Sequence, residues 1–295
     1  MANLRPKTFE GIIGQENIKT CLRIAIASAK QRSDVLQHSL FLGPTGTGKT
    51  TLALATANET KSKIYLSNGG NIKNLKDVLP YLVRLRRGDV LFIDEIHRVH
   101  PRVQESLFTV MEDFRLDIAK GAKCINFEPF TLIGATTEAG MLLRPFYDRF
   151  IHHFTLENYS IEELVEIIKN SCRKLKVSID YSAVKDIAKR SRFTPRIANS
   201  LLQWCRDYAC QGSAQHIITQ RMVESAMNLK KIDEIGLDKS DREYIMVLKR
   251  AGKPMGLNTI VASTGLSKET VEWQIEPYLL KLGIIEKGQK GRSLV

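Results

Sequence analysis

Residues 40–54 read LFLGPTGTGKTTLAL, which places Gly43, Gly48, Lys49 and Thr50 in the pattern G-x-x-x-x-G-K-[ST]. Glycines in such a loop let backbone N–H groups turn inward around phosphates. Lys49 adds a cation near the terminal phosphates, and Thr50 offers a hydroxyl to Mg²⁺. A second stretch, DVLFIDEIH, carries four apolar residues up to Asp94 and Glu95. A carboxylate at the end of a buried strand can reach the shell of that metal ion. The next one can orient or deprotonate an attacking water. Together they describe phosphoryl transfer from a nucleoside triphosphate to water. There is no nucleophile elbow to suggest another chemistry.

The elements needed to hold these residues are legible around them. HSLFLG, SKIYLSN, DVLFIDEI, FTLIGATT and HHFTLEN are five strand candidates. Their apolar runs lack alternation, as expected of parallel strands covered on both faces. Intervening stretches such as PRVQESLFTVMEDF have helical spacing, with a Pro suited to a first turn. From about residue 160 the strand signals stop and helical patterns take over, opened by a capping box between Ser160 and Glu163. From about residue 233 the pattern reads helix, Gly265-containing turn, helix and a short basic hairpin, a winged helix-turn-helix. The expected domains are 1–158, an α/β parallel-sheet ATPase domain, then 159–232, an all-α lid, then 233–295, the winged helix.

The 295 residues carry a formal net charge of +12, which favours a polyanionic partner, nucleic acid above all. No long apolar run suggests a membrane span, and the N-terminus lacks a secretory core, so the chain is expected in the cytoplasm. The five cysteines are scattered, as free thiols would be, and His97 with His100 lacks companions at a metal-site spacing.

With these motifs assembled, the chain resembles the AAA+ ATPase superfamily. FTLIGATT ends on Thr136 and Thr137, the place of a first phosphate sensor, with Thr137 favoured. MLLRPFYDRF ends near Arg149, placed as an arginine finger, and TPRIAN puts Arg196 where a second sensor stands. More narrowly, RPKTFEGIIGQENI, LFIDEIHR, MEDFRLDI, PFTLIGATT, SRFTPRIAN and EPYLLKLG resemble the RuvB family, from about residue 4 to residue 292.

That resemblance implies an ATP-driven motor of Holliday-junction branch migration. It would be a homohexameric ring on duplex DNA, working with RuvA and indirectly with the RuvC resolvase. It implies Leu4, Arg5, Ile12 and Ile13 beside the adenosine of ATP. Gly46, Gly48, Lys49, Thr50 and Thr51 would hold the phosphates, with Thr50 and Asp94 on Mg²⁺. Glu112, Asp113 and Phe114 would line the site between subunits, and Tyr159 would lie near the nucleotide. Lys287 and Arg292 would touch DNA.

The presumptive recognition helix SKETVEWQIEPY carries Glu269, Glu272 and Glu276 against a single Lys268. So acidic a helix suits phosphates poorly, whereas the tip KGQKGR, with Lys287, Lys290 and Arg292, suits them well, through the backbone rather than the bases.

Several positions depart from the family pattern. The segment AKGAKCINFE is about six residues shorter than the hairpin that contacts RuvA in RuvB proteins. Tyr147 replaces an Arg, Phe193 and Ile151 replace glycines, and the chain ends soon after the wing. Two other readings stay open on the sequence. A clamp loader would carry its finger in an SRC-like motif and end in a collar domain. An ATP-switched DNA-binding regulator would need neither Glu95 nor Arg149. For Arg149 itself, the competing expectation is a surface ion pair with Asp148.

Overall fold

The computed structural model describes residues 4–118, 123–210 and 217–295. The chain divides into two compact units, Met1–Glu163 and Leu164–Val295.

The first unit is built on the five expected strands, β1 (Ser39–Leu42), β2 (Ile64–Asn68), β3 (Val90–Asp94), β6 (Thr131–Thr136) and β7 (His152–Thr155). They form one sheet in the order β2-β3-β6-β1-β7, every neighbouring pair parallel. Two further strands, β4 (Arg115–Ile118) and β5 (Lys123–Asn126), form an antiparallel hairpin outside that sheet. The shortened segment falls partly on residues 119–122, outside the described ones.

Strand burial explains the unbroken apolar runs. Leu40, Leu91, Ile93 and Leu132 enter one hydrophobic cluster, while Phe41, Val90, Phe92 and Ile133 enter another. Successive residues thus serve opposite faces, and both faces are covered. Parallel strands align their carboxyl ends along one edge, where ligands of such sheets bind. The loop after β1, the acidic pair after β3 and the threonines ending β6 all stand on that edge. Because β6 lies between β1 and β3, Thr137 follows the strand that separates the phosphate loop from Asp94.

The second unit begins within the helix Ile161–Leu175, whose start is secured by the Ser160–Glu163 capping box: Glu163 N–H donates to Ser160 Oγ at 3.1 Å and Ser160 N–H to Glu163 Oε2 at 2.7 Å. Helices Tyr181–Lys189, Pro195–Ala209 and Gln220–Leu229 come next. The winged helix comprises Lys239–Ala251, Leu257–Thr264, a helix running from Lys268 to Lys281, and the hairpin of β8 (Ile285–Gly288) and β9 (Gly291–Leu294). Gly265 ends the second of these helices at φ 70°, the left-handed turn expected there. Among the described residues no helix is long and apolar enough to cross a membrane.

The helix Lys268–Lys281 is interrupted. Residues Val271–Ile275 form a π-turn in which Glu276 N–H bonds Val271 O. Pro277 supplies the reason: it has no N–H to continue the ladder, and its ring crowds the carbonyl four residues earlier. The extra residue rotates the succeeding helical turn by about 100°, and Glu276 enters the interior fully buried. Of the three acidic residues of this helix, Glu269 is exposed, Glu272 half-buried and Glu276 buried.

Candidate nucleotide and DNA sites

The phosphate loop joins β1 to the helix Lys49–Thr60 through Gly43, Gly46 and Gly48 at φ 131°, 86° and 106°. A side chain at Gly43 would place its Cβ 2.4 Å from Leu156 O, so the residue is glycine for space as well as for backbone angle. Lys49 is buried, and its ammonium donates to Gly43 O at 2.7 Å and Pro44 O at 3.0 Å. Thr50 Oγ1 donates to Asp94 Oδ2 at 3.3 Å, across 44 residues of sequence. A hydroxyl and a carboxylate side by side, beneath a loop of left-handed glycines at a helix N-terminus, are the donor set that a magnesium-bound triphosphate requires. The residues fit the group. Thr51 is the next residue of the helix, half-buried.

Glu95 is held at φ 49°, ψ 46°, a left-handed conformation unusual for a side chain of its size. Its N–H donates to Asp94 Oδ1 at 3.1 Å. Thr136 is fully buried at the end of β6 and Thr137, just beyond it, is half-buried.

At the opposite edge of the loop, Tyr159 is buried and its hydroxyl donates to Thr47 O at 3.1 Å. Burial pushes the phenol up to about 12, opposed by a hydrogen bond with Gln15 and assisted by the Glu163 charge. Tyr159 thus ties the end of this unit to the loop. Near the N-terminus Leu4 is half-buried and Arg5 exposed, with Ile12 buried and Ile13 half-buried.

Arg149 follows the short helix Arg144–Asp148. Asp148 does not take it: that carboxylate pairs with Arg144 at 2.9 Å. Arg149 instead pairs with Glu112, its guanidinium 4.7 Å from the centre of the Phe108 ring, and its Nε is buried without a hydrogen-bond partner among the described residues. The ion pair expected locally is therefore a long-range one. It joins the finger candidate to the Glu112–Asp113–Phe114 segment, two features expected at the same subunit boundary. Glu112 and Asp113 are exposed and Phe114 half-buried.

Sequence reasoning missed the residue that anchors this corner. His38 lies beside Phe114 and Phe130; its Nδ1 accepts from Leu132 N–H at 2.9 Å and its Nε2 lies 3.0 Å from Met111 O. The accepting Nδ1 leaves Nε2 as the donor, so the ring is neutral. Burial lowers its pKa to about 4, opposed by the bond to Met111 and helped by the Arg149 charge. Because the folded pKa lies below the ordinary 6.5, the unfolded chain binds the proton more readily. The contribution is complete above pH 6.5 and is lost as pH falls from 6.5 toward 4, amounting to about 3 kcal/mol. Unfolding free energies measured across that range should fall more steeply with acid for the wild type than for His38→Gln; equal slopes refute the assignment.

In the second unit, Arg196 is exposed at the start of the helix Pro195–Ala209. The loop before it packs on the winged helix. Arg192 pairs with Asp241, which is fully buried, and with Asp238 at 3.2 Å, while Phe193 meets Tyr278 at 5.9 Å between ring centres. Phe193 stands at φ 58°, where glycine is the unstrained choice, which accounts for the glycine expected at this position. Its ring contact with Tyr278, and Lys281 over its face at 3.9 Å, give the bulky residue compensation.

The wing departs from the simplest expectation of two free cations. Arg292 Nε donates to Glu276 Oε1 at 2.8 Å, and Lys287 Nζ lies 2.5 Å from Glu276 Oε2. Tyr244 also donates its hydroxyl to Glu276, at 3.0 Å. Burial works to raise the Glu276 pKa, but the bonds from Arg292, Lys287 and Tyr244 prevail and hold it below the usual carboxylate range. Lys287 and Lys290 remain exposed on the hairpin, whereas the Arg292 side chain is only 17% exposed.

A five-stranded parallel sheet with a phosphate loop after one strand, an acidic pair two strands away and a threonine on the strand between defines an AAA+ P-loop ATPase. Three family models match in succession: the Holliday junction DNA helicase RuvB P-loop domain over residues 4–156, the RuvB AAA lid domain over 159–233 and the RuvB C-terminal winged helix domain over 234–295. The chain belongs to the RuvB family. It is 44% identical over 297 residues to the Holliday junction branch migration complex subunit RuvB of Rhodopirellula baltica, covering 98% of this chain and 81% of that one. Identity to the RuvB subunit of Campylobacter lari is 45%, covering 98% and 88%. Among solved structures, the Thermotoga maritima RuvB Holliday junction branch migration motor superposes with a TM-score of 0.90 at 41% identity, covering 99% of this chain and 95% of that one.

Proposed function

We propose that this ATPase is a DNA translocase of Holliday-junction branch migration, acting in the cytoplasm as a homohexameric ring on duplex DNA, with RuvA and, indirectly, the RuvC resolvase. The observation that carries this reading is the succession of three RuvB models over residues 4–156, 159–233 and 234–295. It also favours a division into a large domain (1–158), a lid (159–232) and a winged helix (233–295).

Within the site, Leu4, Arg5, Ile12, Ile13 and Tyr159 frame the base and sugar. The loop from Gly43 to Gly48, with Thr51, receives the phosphates. Lys49 shifts its ammonium from loop carbonyls to phosphate oxygens, and Thr50 and Asp94 hold Mg²⁺. When bound, that ion screens the phosphate charges against one another. Glu95 orients the water and takes its proton, and Thr137 contacts the terminal phosphate as the first sensor. Arg149, presented with Glu112, Asp113 and Phe114, completes a neighbouring subunit's pocket, and Arg196 moves the lid with the phosphate it contacts. On the wing, Lys287 and Lys290 meet the DNA backbone, with Arg292 behind them.

The test is migration of a synthetic four-way junction with ATP and Mg²⁺, with and without the cognate RuvA. Movement that needs ATP and disappears in Lys49→Ala supports the reading. ATP hydrolysis without any movement, with RuvA present, refutes the motor and leaves an ATPase of another use.

A further inference from the structure

His97 is buried against Glu95. Its Nδ1 lies 2.8 Å from Thr136 Oγ1, and its Nε2 lies 3.5 Å from Glu95 Oε2 and 3.3 Å from Glu138 Oε1. Thr136 Oγ1 already accepts the N–H of Glu138 at 2.8 Å. Nε2 faces two carboxylates and so carries an N–H, and the Thr136 hydroxyl, which can accept from Glu138 and still donate, can direct its own proton to Nδ1. The opposite tautomer would aim a lone pair at two carboxylates.

The Glu95 backbone is held in place. Its carbonyl accepts from Arg98 N–H at 2.9 Å and packs so closely on Gly69 that a Cβ there would lie 2.2 Å away. With φ and ψ confined to the left-handed region, the carboxylate can swing only about its own side-chain bonds. The imidazole stands where it limits that swing.

From this arrangement we infer that His97 is a positioning residue for Glu95. Through Nε2–H it sets the direction of the carboxylate that activates water, and through Nδ1 it couples that direction to the end of β6. Glu138 approaches the same Nε2 from the other side, so any displacement of residues 136–138 changes how closely the imidazole faces Glu95. Contact of Thr137 with the terminal phosphate is thereby passed to Glu95 through one side chain. This inference rests on Glu95 as the water-activating group.

The experiment compares ATP turnover at saturating ATP, affinity for a non-hydrolysable ATP analogue and melting temperature for His97→Ala, His97→Gln, Glu95→Gln and the double variant Glu95→Gln/His97→Ala. Misaiming a reacting group is expected to slow turnover in His97→Ala by about 10- to 100-fold, with analogue affinity within about threefold. His97→Gln, which retains a donor at the same reach, should recover part of the loss. Because His97 acts through Glu95, the double variant should be no slower than Glu95→Gln alone. Turnover within twofold of wild type in His97→Ala overturns the inference, as does an added loss on top of Glu95→Gln. If His97→Ala melts much lower, His97→Gln alone and combined with Glu95→Gln decides by the same rule. An active Glu95→Gln instead refutes the role of Glu95; an inactive Glu95→Gln with a normal His97→Ala refutes only the coupling.

Discussion

ATP turnover by the assembled protein should fall about a thousandfold or more when Arg149 is replaced by Ala, while each subunit still binds ATP. A guanidinium brought to a transferring phosphoryl group from a neighbouring subunit contributes roughly 10³ to 10⁵ in rate. The surroundings of Arg149 are compatible with such a task. Asp148, the acid beside it in sequence, is taken by Arg144, and the Phe108 ring and Glu112 hold the Arg149 side chain where its Nε has no partner among the described residues. A surface ion pair kept only for stability would contribute little and would not strand a buried nitrogen beside it. Mixing Arg149→Ala with wild-type subunits discriminates further. If the finger acts across a boundary, an equal mixture retains well below half the wild-type activity, because each altered subunit disables an intact neighbour. Activity proportional to the wild-type fraction would show that Arg149 works within its own chain, or not at all.

The five strands of the central sheet and the loops at their ends were readable because their signals are local. A run such as VLFI states its burial on both faces by composition, and the glycines of the phosphate loop announce left-handed angles. The partners of charged residues were not readable in this way. Arg149 finds Glu112 across 37 positions, His97 finds Glu138 across 41, and Glu276 collects Tyr244, Lys287 and Arg292 from three different elements. The sequence counted Glu276 among the acidic residues of the recognition helix, and the one signal of its burial was Pro277 beside it. A proline inside an otherwise helical run can be absorbed by a π-turn, and the resulting rotation turns an outward residue inward. His38 offered no signal at all, since an isolated histidine before a strand is equally consistent with an exposed position.

The Glu276 cluster yields the second large expected effect, in which stability and DNA affinity move in opposite directions. Glu276→Ala should destabilise the second unit by about 3 kcal/mol, the low end for orphaning one side of a buried ion pair, since Lys287 and Arg292 keep a route to water. Glu276→Gln, which preserves volume and an acceptor for Tyr244, should cost less. In either variant the wing cations lose their internal counter-charge, so duplex DNA of arbitrary sequence should bind more tightly. The slope of log affinity against log salt should steepen by about one for each cation that newly meets a phosphate. Adding Lys287→Ala to Glu276→Gln should remove part of that gain. Glu276 would then be the group that limits how tightly the wing grips, which matters to a motor that must release the backbone at every step. A folded Glu276→Gln variant with unchanged affinity and salt slope would mean that Lys287 and Arg292 hold the hairpin together and that contact with DNA rests on Lys290 or lies elsewhere.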